Sequence, residues 1–590
     1  MVQERARRRN LSRRSVLKWG AAAAAAPVAA GVAMQRGVGQ PSGTPFALQA
    51  PSPELETATV ADLRAALDSR RLSVRELTEA YLARIEAIDR NGPKLNSIME
   101  TNPDALAIAD ALDAELRDGG PRGPLHGIPI LLKDNIDTAD GMLTTAGSLA
   151  LVNSRPPQDS TVARNLRNAG AVLLGKTTLS EWANFRSTTS TSGWSGRGGQ
   201  CLNPYALDRS PCGSSSGSPA ATAAGLTALA IGTETDGSIV CPSSSCSVVG
   251  IKPTVGLTSR AGVIPISHSQ DTIGPHGRTV ADAAAALGAM TGVDPRDAGT
   301  AASQGQSQTD YTQFLDPNGL QGMRIGVPRT GGYWQYSAAA DAITEAAIRV
   351  MADAGAEIVD PADIPTAQEM AESSAEFDVL LYEFKADLNA YLAERGDPAM
   401  RTLEDLIRFN EENAAAEMPY FLQEIFHLSQ ALGPLTDQAY LDALATSHRL
   451  SRDEGLDAVF NSMNLDALVA PTGSPPWTID VVNGDHFLGA SSGPAAMAGY
   501  PLISVPAGYA FGLPVGISFM GRAWSEPTLI RIAHAFELAA NIRQTPKYLM
   551  PPTTLPPAAI PGLQAAGLPS GGTPVAAGAT PGATPGAHVH

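Results

Sequence analysis

Three short stretches of this chain hold the residue types that amide chemistry needs. Gly232-Thr-Glu-Thr-Asp-Gly-Ser238 places a serine at the end of a glycine-containing turn. Gly213-Ser-Ser-Ser-Gly-Ser218 lies about one short helix upstream, and Gly127-Ile-Pro-Ile-Leu-Leu-Lys133 ends an apolar run on a lysine. A serine hydroxyl is a weak nucleophile and needs a base within hydrogen-bond reach. The oxyanion of a tetrahedral intermediate needs preorganised donors, which successive backbone N–H groups in a tight turn supply. A lysine, with an ordinary pKa near ~10.4, acts as a base only where burial favours the neutral amine. Lys133 follows an unbroken apolar run and is placed where such a desolvated amine would sit, with Ser214 able to relay a proton between it and Ser238. This set requires no histidine, metal or cofactor.

Each stretch alone has an ordinary explanation. Gly/Ser runs are commonly loops, and a lysine after a strand is commonly a solvated strand end. Their conjunction points to a site, and the surrounding pattern supplies elements to hold it. Residues 128–132 read as a short buried strand, 160–170 as a helix, and 172–174 as the next strand with Lys176 just after it. Residues 219–227 are small and Ala-rich, a helix able to pack closely, and 228–231 form another buried strand running into the turn. Upstream, Ser73 and Glu76 make a capping box for a helix with Leu77, Tyr81, Leu82, Ile85 and Ile88 on one face. The region from about 366 to 460 is helical in pattern and more charged, a cap or insertion. Strand signals return at 467–470, 502–505 and 515–519, and a helix at 526–540. Both halves of the chain therefore feed one sheet, which predicts a single large α/β domain over 53–546.

The segment from about 125 to 280 resembles the signature region of the amidase signature family of serine hydrolases. The matching words are His126-Gly-Ile-Pro-Ile-Leu-Leu-Lys-Asp-Asn135, Gly175-Lys-Thr-Thr-Leu-Ser-Glu-Trp182 and Ser210-Pro-Cys-Gly-Ser-Ser-Ser-Gly-Ser218. Gly232-Thr-Glu-Thr-Asp-Gly-Ser238 and Val249-Gly-Ile-Lys-Pro-Thr254 complete them, and weaker similarity runs from roughly 55 to 545. The resemblance implies a large mixed sheet covered by helices on both faces. It implies Ser238 as nucleophile, Ser214 as a bridging serine on a cis peptide and Lys133 as base. It also implies an oxyanion hole from the backbone N–H groups of Thr235, Asp236, Gly237 and Ser238. Two departures stand out: Asp236 where glycine is usual before Gly237-Ser238, and Ser216 where glycine is common. With Cys241-Pro242 and Ile264-Pro-Ile-Ser-His-Ser-Gln-Asp271, they are similar to the branch of bacterial peptide amidases, which implies hydrolysis of C-terminal peptide amides. The carboxylate of Asp236 adds negative charge near the pocket.

Other readings compete. Gly213-Ser-Ser-Ser-Gly217 also fits the nucleophile elbow of α/β-hydrolases, with Ser215 as nucleophile and a histidine such as His268, His276, His427, His448, His486 or His534 downstream. The glutamine-hydrolysing subunit of a transamidation complex shares the signature. A hydrolase decayed to a binding protein is a third reading, against which all three triad positions are occupied.

Composition bounds the rest. The 590 residues are 43% hydrophobic, 17% charged and 5% aromatic, a globular balance. A net charge of −17 argues against nucleic acid or anionic membrane as partners; the resemblance implies a small-molecule or peptide amide as substrate, and oligomeric state is not legible. Most basic residues near the start cluster as Arg5, Arg7, Arg8, Arg9, Arg13, Arg14 and Lys18. They lead into an Ala-rich run, so residues 1–33 resemble a twin-arginine export signal, predicting a periplasmic, cell-surface or extracellular protein without stable membrane insertion. Residues 34–52 read as a linker. Residues 547–590 are a Pro/Gly/Ala/Thr tail predicted to be disordered, with His588 and His590 incidental. The four cysteines fit no zinc pattern; they read as small buried apolar residues, with a Cys241–Cys246 disulfide as the lesser alternative.

Overall fold

The computed structural model describes residues 54–550. The signal segment, the linker and nearly all of the tail, with His588 and His590, lie outside the described residues.

Eleven strands form one mixed sheet. In chain order they are β1 (Ile98–Thr101), β2 (Pro129–Lys133), β3 (Val172–Thr177), β4 (Leu229–Glu234), β5 (Val249–Lys252) and β6 (Thr272–Gly277). They continue with β7 (Arg324–Gly326), β8 (Glu357–Val359), β9 (Ala467–Pro471), β10 (Leu502–Ala510) and β11 (Leu513–Met520). The spatial order is β1-β3-β2-β4-β6-β5-β10-β11-β9-β7-β8. β2 pairs parallel with β3 and β4, whereas β6 runs antiparallel to β4. Helices cover both faces, so β2, β3 and β4 are buried along their whole length. That burial explains their continuous apolar sequence, which lacks the alternation of a half-exposed strand.

The predicted elements are present with shifted edges. Ser73 caps Val74–Arg84 through the expected reciprocal bonds with Glu76, and the chain then continues as a wider π turn to Asn91. Lys176 lies inside β3 rather than after it. Its buried amine donates to the Ile136 carbonyl at 2.6 Å and to Thr144 Oγ1 at 2.8 Å, so the strand accommodates a charge-bearing side chain. The Ala-rich helix starts and ends earlier than predicted, at Gly217–Ala223, and the chain turns away at Gly225. Between β8 and β9 the chain is helical from Ala367–Glu372 to Asp457–Met463. Its longest helix, Ala375–Arg395, packs Leu380, Phe384 and Leu388 in one cluster with Trp182, Phe185 and Ile264. The insertion is thereby fastened to segments that follow β3 and precede β6.

The cysteine expectation needs correction. Cys201 and Cys246 are buried thiols, but Cys212 and Cys241 form a disulfide across 29 residues. The reading as buried apolar residues holds for two of the four, and the bridge that forms is not the alternative Cys241–Cys246 pair, because the fold brings the loop before Ser214 against the first turn after Ser238.

Candidate active site

The C-terminal ends of β2 and β4 lie side by side and hold the lysine. Lys133 is the last residue of β2 and has no exposed surface. Its Nζ lies 2.7 Å from Ser214 Oγ, 2.8 Å from Thr233 Oγ1 and 3.2 Å from the Thr233 carbonyl. Thr233 Oγ1 also accepts from Asn135 Nδ2 at 3.0 Å. Burial lowers the lysine pKa to about 7, although Asp271 and Glu234 pull it the other way. Near neutrality, then, a large share of the amine is uncharged and carries a lone pair. The three contacts suit either state: an ammonium donates to all three oxygens, whereas a neutral amine donates to two and accepts from one hydroxyl.

Ser214 comes from the loop that precedes the Gly217–Ala223 helix, and the Gly213–Ser214 peptide is cis, as the resemblance implied. Gly213 fits because nothing larger would: a Cβ there would lie 2.2 Å from Ser180 Oγ. The Ser214 carbonyl accepts from Ser180 N at 3.0 Å. Ser216, one of the two departures, closes the loop by donating to the Cys212 carbonyl at 2.7 Å. Ser215 binds β4 in both senses, donating to the Thr233 carbonyl at 3.0 Å and accepting from Thr233 N at 3.2 Å.

That bonding overturns Ser215 as an elbow nucleophile, since its hydroxyl is fully buried and occupied. His276, which lies nearby on β6, is pushed down to about 3 by burial, with the charge of Lys133 adding to the effect, and its Nδ1 pairs with Ser243 Oγ at 2.8 Å. It is a neutral packing histidine.

Ser238 ends the turn between β4 and the helix Val240–Ser245. Glu234 fixes the exit by accepting from Ile239 N at 2.6 Å and Val240 N at 3.0 Å through one carboxylate oxygen. Thr235 is anchored through its hydroxyl to Asp271 at 2.6 Å and through its carbonyl to Gln270 at 3.3 Å. Gly237 has φ +81°, the left-handed region, and a Cβ there would also press on Ser492 Oγ at 3.1 Å. Among the described residues, the N–H groups of Gly237 and Ser238 donate to no protein acceptor. Two adjacent amides left without partners at a helix entrance make a donor pair for an anionic oxygen. Asp236 turns aside and accepts from Ser492 Oγ at 2.5 Å. The Ser215 N–H donates to the Ser238 carbonyl at 3.2 Å, which brings the two serine segments together. No hydrogen bond joins Ser238 Oγ to Ser214 Oγ in this structure. The Lys133–Ser214 contact is formed, whereas Ser238 Oγ makes no hydrogen bond among the described residues.

Several residues at the site escaped the sequence reading. Asn135, Thr233 and Glu234 stood inside the motif words, but nothing in the words distinguished them from filler. Asp271 likewise stood inside one; burial raises its pKa to about 6 against the hydrogen bonds from Thr235, Ile266 and Ser267. Ser492 had no sequence signal at all. A cavity of about 270 Å³ lies beside the lysine pocket, lined by Asn135, Thr233, Thr235 and Asp271 and, from the insertion, Asp387 and Tyr391. His268, Glu383 and Asp387 converge at its edge. Their ligating atoms are engaged already: His268 lies 2.9 Å from Asp387, and Glu383 accepts from Ser267, Ser269 and Tyr440. The cluster ties the 264–271 loop to the insertion.

Two predictions arise from this geometry. Gly237→Ala is expected to lower turnover by about 10²-fold, the cost of displacing one oxyanion donor, with little loss of melting temperature. Asp236→Gly should keep turnover within about tenfold, one 1.36 kcal/mol step, because the donors at that turn are backbone groups. Its effect should fall on KM for charged substrates. Steady-state kinetics with circular dichroism checks both.

A family model described as Amidase matches residues 76–530, and a twin-arginine translocation signal model matches residues 10–30. The solved native peptide amidase from Stenotrophomonas maltophilia is 52% identical, with a TM-score of 0.79 over 84% of this chain and 99% of that one. A probable amidase from Arabidopsis thaliana is 44% identical over 84% of this chain and 92% of its own length. A glutamyl-tRNA(Gln) amidotransferase chain from Chloroflexus aurantiacus is more distant, 36% identical over 82% of this chain and 97% of its own length. With a family model spanning most of the chain, and a buried lysine–serine pair beside a turn with unpartnered amides, this chain belongs to the amidase family and is an amide hydrolase.

Proposed function

We propose that this enzyme is an exported amidase that hydrolyses carboxylic or C-terminal peptide amides through a Ser238–Ser214–Lys133 acyl-enzyme mechanism. The observation that carries it is the 2.7 Å contact between the fully buried Lys133 amine, its pKa lowered by burial, and Ser214. Ser238 Oγ attacks the carbonyl while its proton moves to Ser214, whose own proton moves to Lys133. The oxyanion takes hydrogen bonds from the turn of Thr235, Asp236, Gly237 and Ser238. Lys133 then returns the proton through Ser214 to the leaving nitrogen, and ammonia or an amine departs. Water attacks the acyl-enzyme by the same relay in reverse. The base is already in contact with Ser214, so no charged base has to approach from solvent.

The peptide-amide reading rests on the likeness to the Stenotrophomonas enzyme and on the departures at Asp236 and Ser216. Ammonia release from a panel of peptide amides, aryl amides and short aliphatic amides tests it. Peptide amides should give the highest kcat/KM, and a preference for small aliphatic amides would overturn that choice of substrate. The transamidation reading predicts glutamine as the favoured substrate in the same panel; the N-terminal signal sequence argues against it. Export places the mature enzyme in the periplasm, at the cell surface or outside the cell. Among the described residues no helix is long and apolar enough to cross a membrane.

A further inference from the structure

The serine relay joins two loops from different parts of the chain. Ser214 belongs to the loop before the Gly217–Ala223 helix, and Ser238 to the turn after β4. Two ties flank the serines: the hydrogen bond from Ser215 N to the Ser238 carbonyl, and the Cys212–Cys241 disulfide. Residues 212–215 and 238–241, closed by these ties, form a small ring with both serines inside it. The two hydroxyls are not hydrogen-bonded to each other, so their separation is set by what holds the two loops: the ring, together with the anchoring of Ser214 to Lys133, of Ser215 to Thr233 and of the turn after Ser238 to Glu234. A relay works only when its oxygens come within roughly 2.6–3.2 Å, and a misplacement of about 1 Å costs on the order of 10²-fold.

We propose that the Cys212–Cys241 disulfide is a positioning element of the catalytic relay, holding the bridging-serine loop against the nucleophile turn so that amide turnover depends on its oxidation state. The proposal rests on the Ser238–Ser214–Lys133 reading. Other contacts keep the fold without the bridge. Ser216 Oγ still donates to the Cys212 carbonyl, Cys241 N to the Gly237 carbonyl, and Ser210 N to the Trp477 carbonyl. The bridged sulfurs pack with Trp477, and Cys212 and Cys241 keep 4% and 7% of their surface, whereas Cys201 and Cys246 have none. Cys201 and Cys246 are thiols already, so among the described residues a small dithiol acts on the Cys212–Cys241 bridge and leaves the other two cysteines unchanged. Reduction transfers two electrons and two protons, leaving two thiols on the protein and a cyclic disulfide on the reagent.

The test uses the purified enzyme, untreated or reduced with dithiothreitol, with thiols counted by labelling. A Cys212→Ser/Cys241→Ser double variant runs in parallel. Breaking the bridge should lower kcat for an amide by ~10-fold or more with KM changed little, in protein that remains folded by circular dichroism, and reoxidation should restore the reduced wild type. An ester with a good leaving group, which needs less proton delivery, should lose less. Unchanged kcat in fully reduced protein overturns the proposal, as does a loss that only tracks the unfolded fraction. Ser238→Ala in the same assay separates the two layers. If it stays active the mechanism itself fails; if it is inactive while reduced enzyme runs at full speed, only the disulfide's role fails.

Discussion

Ser238→Ala should lower kcat for any good amide substrate by ~10⁴-fold or more, the scale on which removing a serine nucleophile acts in unrelated hydrolases. The variant should fold normally. Ser238 keeps only 9% of its surface but makes no side-chain hydrogen bond that the fold depends on, and its helix is held by Glu234. Ser214→Ala should be milder, by ~10²–10⁴-fold, because it removes proton transfer while leaving nucleophile and oxyanion donors in place. Single-turnover kinetics with an activated ester distinguish them: Ser214→Ala should still show a slow acylation burst, and Ser238→Ala none. A full burst from Ser238→Ala would place the nucleophile elsewhere.

The second large effect belongs to Lys133. Wild-type activity should rise with pH through the lysine's lowered pKa of about 7, because the base is the deprotonated form. In Lys133→Met that limb should vanish and amide turnover fall by ~10³-fold or more. Stability should move the other way. Between about 7 and the lysine's ordinary 10.5 the unfolded chain holds a proton that the native state does not, so stability rises with pH across that window. Below about 7 the native state is protonated too, and the burden of burying the amine is at its full size and constant. Lys133→Met removes that burden. Its melting temperature should exceed wild type by the most below pH 7, and the gap should close as pH approaches 10.5. A gap independent of pH would mean the lysine titrates normally.

Much of the candidate site's geometry could be read from sequence because its residues stand in contiguous words. Lys133, Ser214 and Ser238 each sit at a strand end or tight loop whose neighbours are fixed by type: apolar residues before the lysine, glycines where backbone approaches closely. The strands were legible for the same reason, since full burial leaves continuous apolar runs. What escaped was pairing at a distance. Thr233 holds the lysine only because β2 and β4 are parallel neighbours in register, Leu132 opposite Ile231. Ser492 meets Asp236 across 256 residues. The choice of Cys212 over Cys246 as the partner of Cys241 depends on loop closure, which spacing does not encode. Edges shifted where a polar side chain found internal partners, as at Lys176.

The placement of the machinery divides the molecule in a way that matters for redesign. Everything proposed to make or break the bond comes from residues 133–238, the β1–β6 half of the sheet. Asp236, by contrast, is met by Ser492 from the segment before β10, and Gln270 by Glu376 from the insertion, at 3.2 Å. The cavity beside the lysine is thus walled partly by the stretch that carries the proposed chemistry and partly by the insertion, through Asp387 and Tyr391. Libraries confined to 366–460 and 480–492 should return new amide preferences at a much higher rate of active clones than libraries spread over 210–240. There the proposed reagents share short loops with the residues that hold the turn and the ring, so fewer positions are open to change.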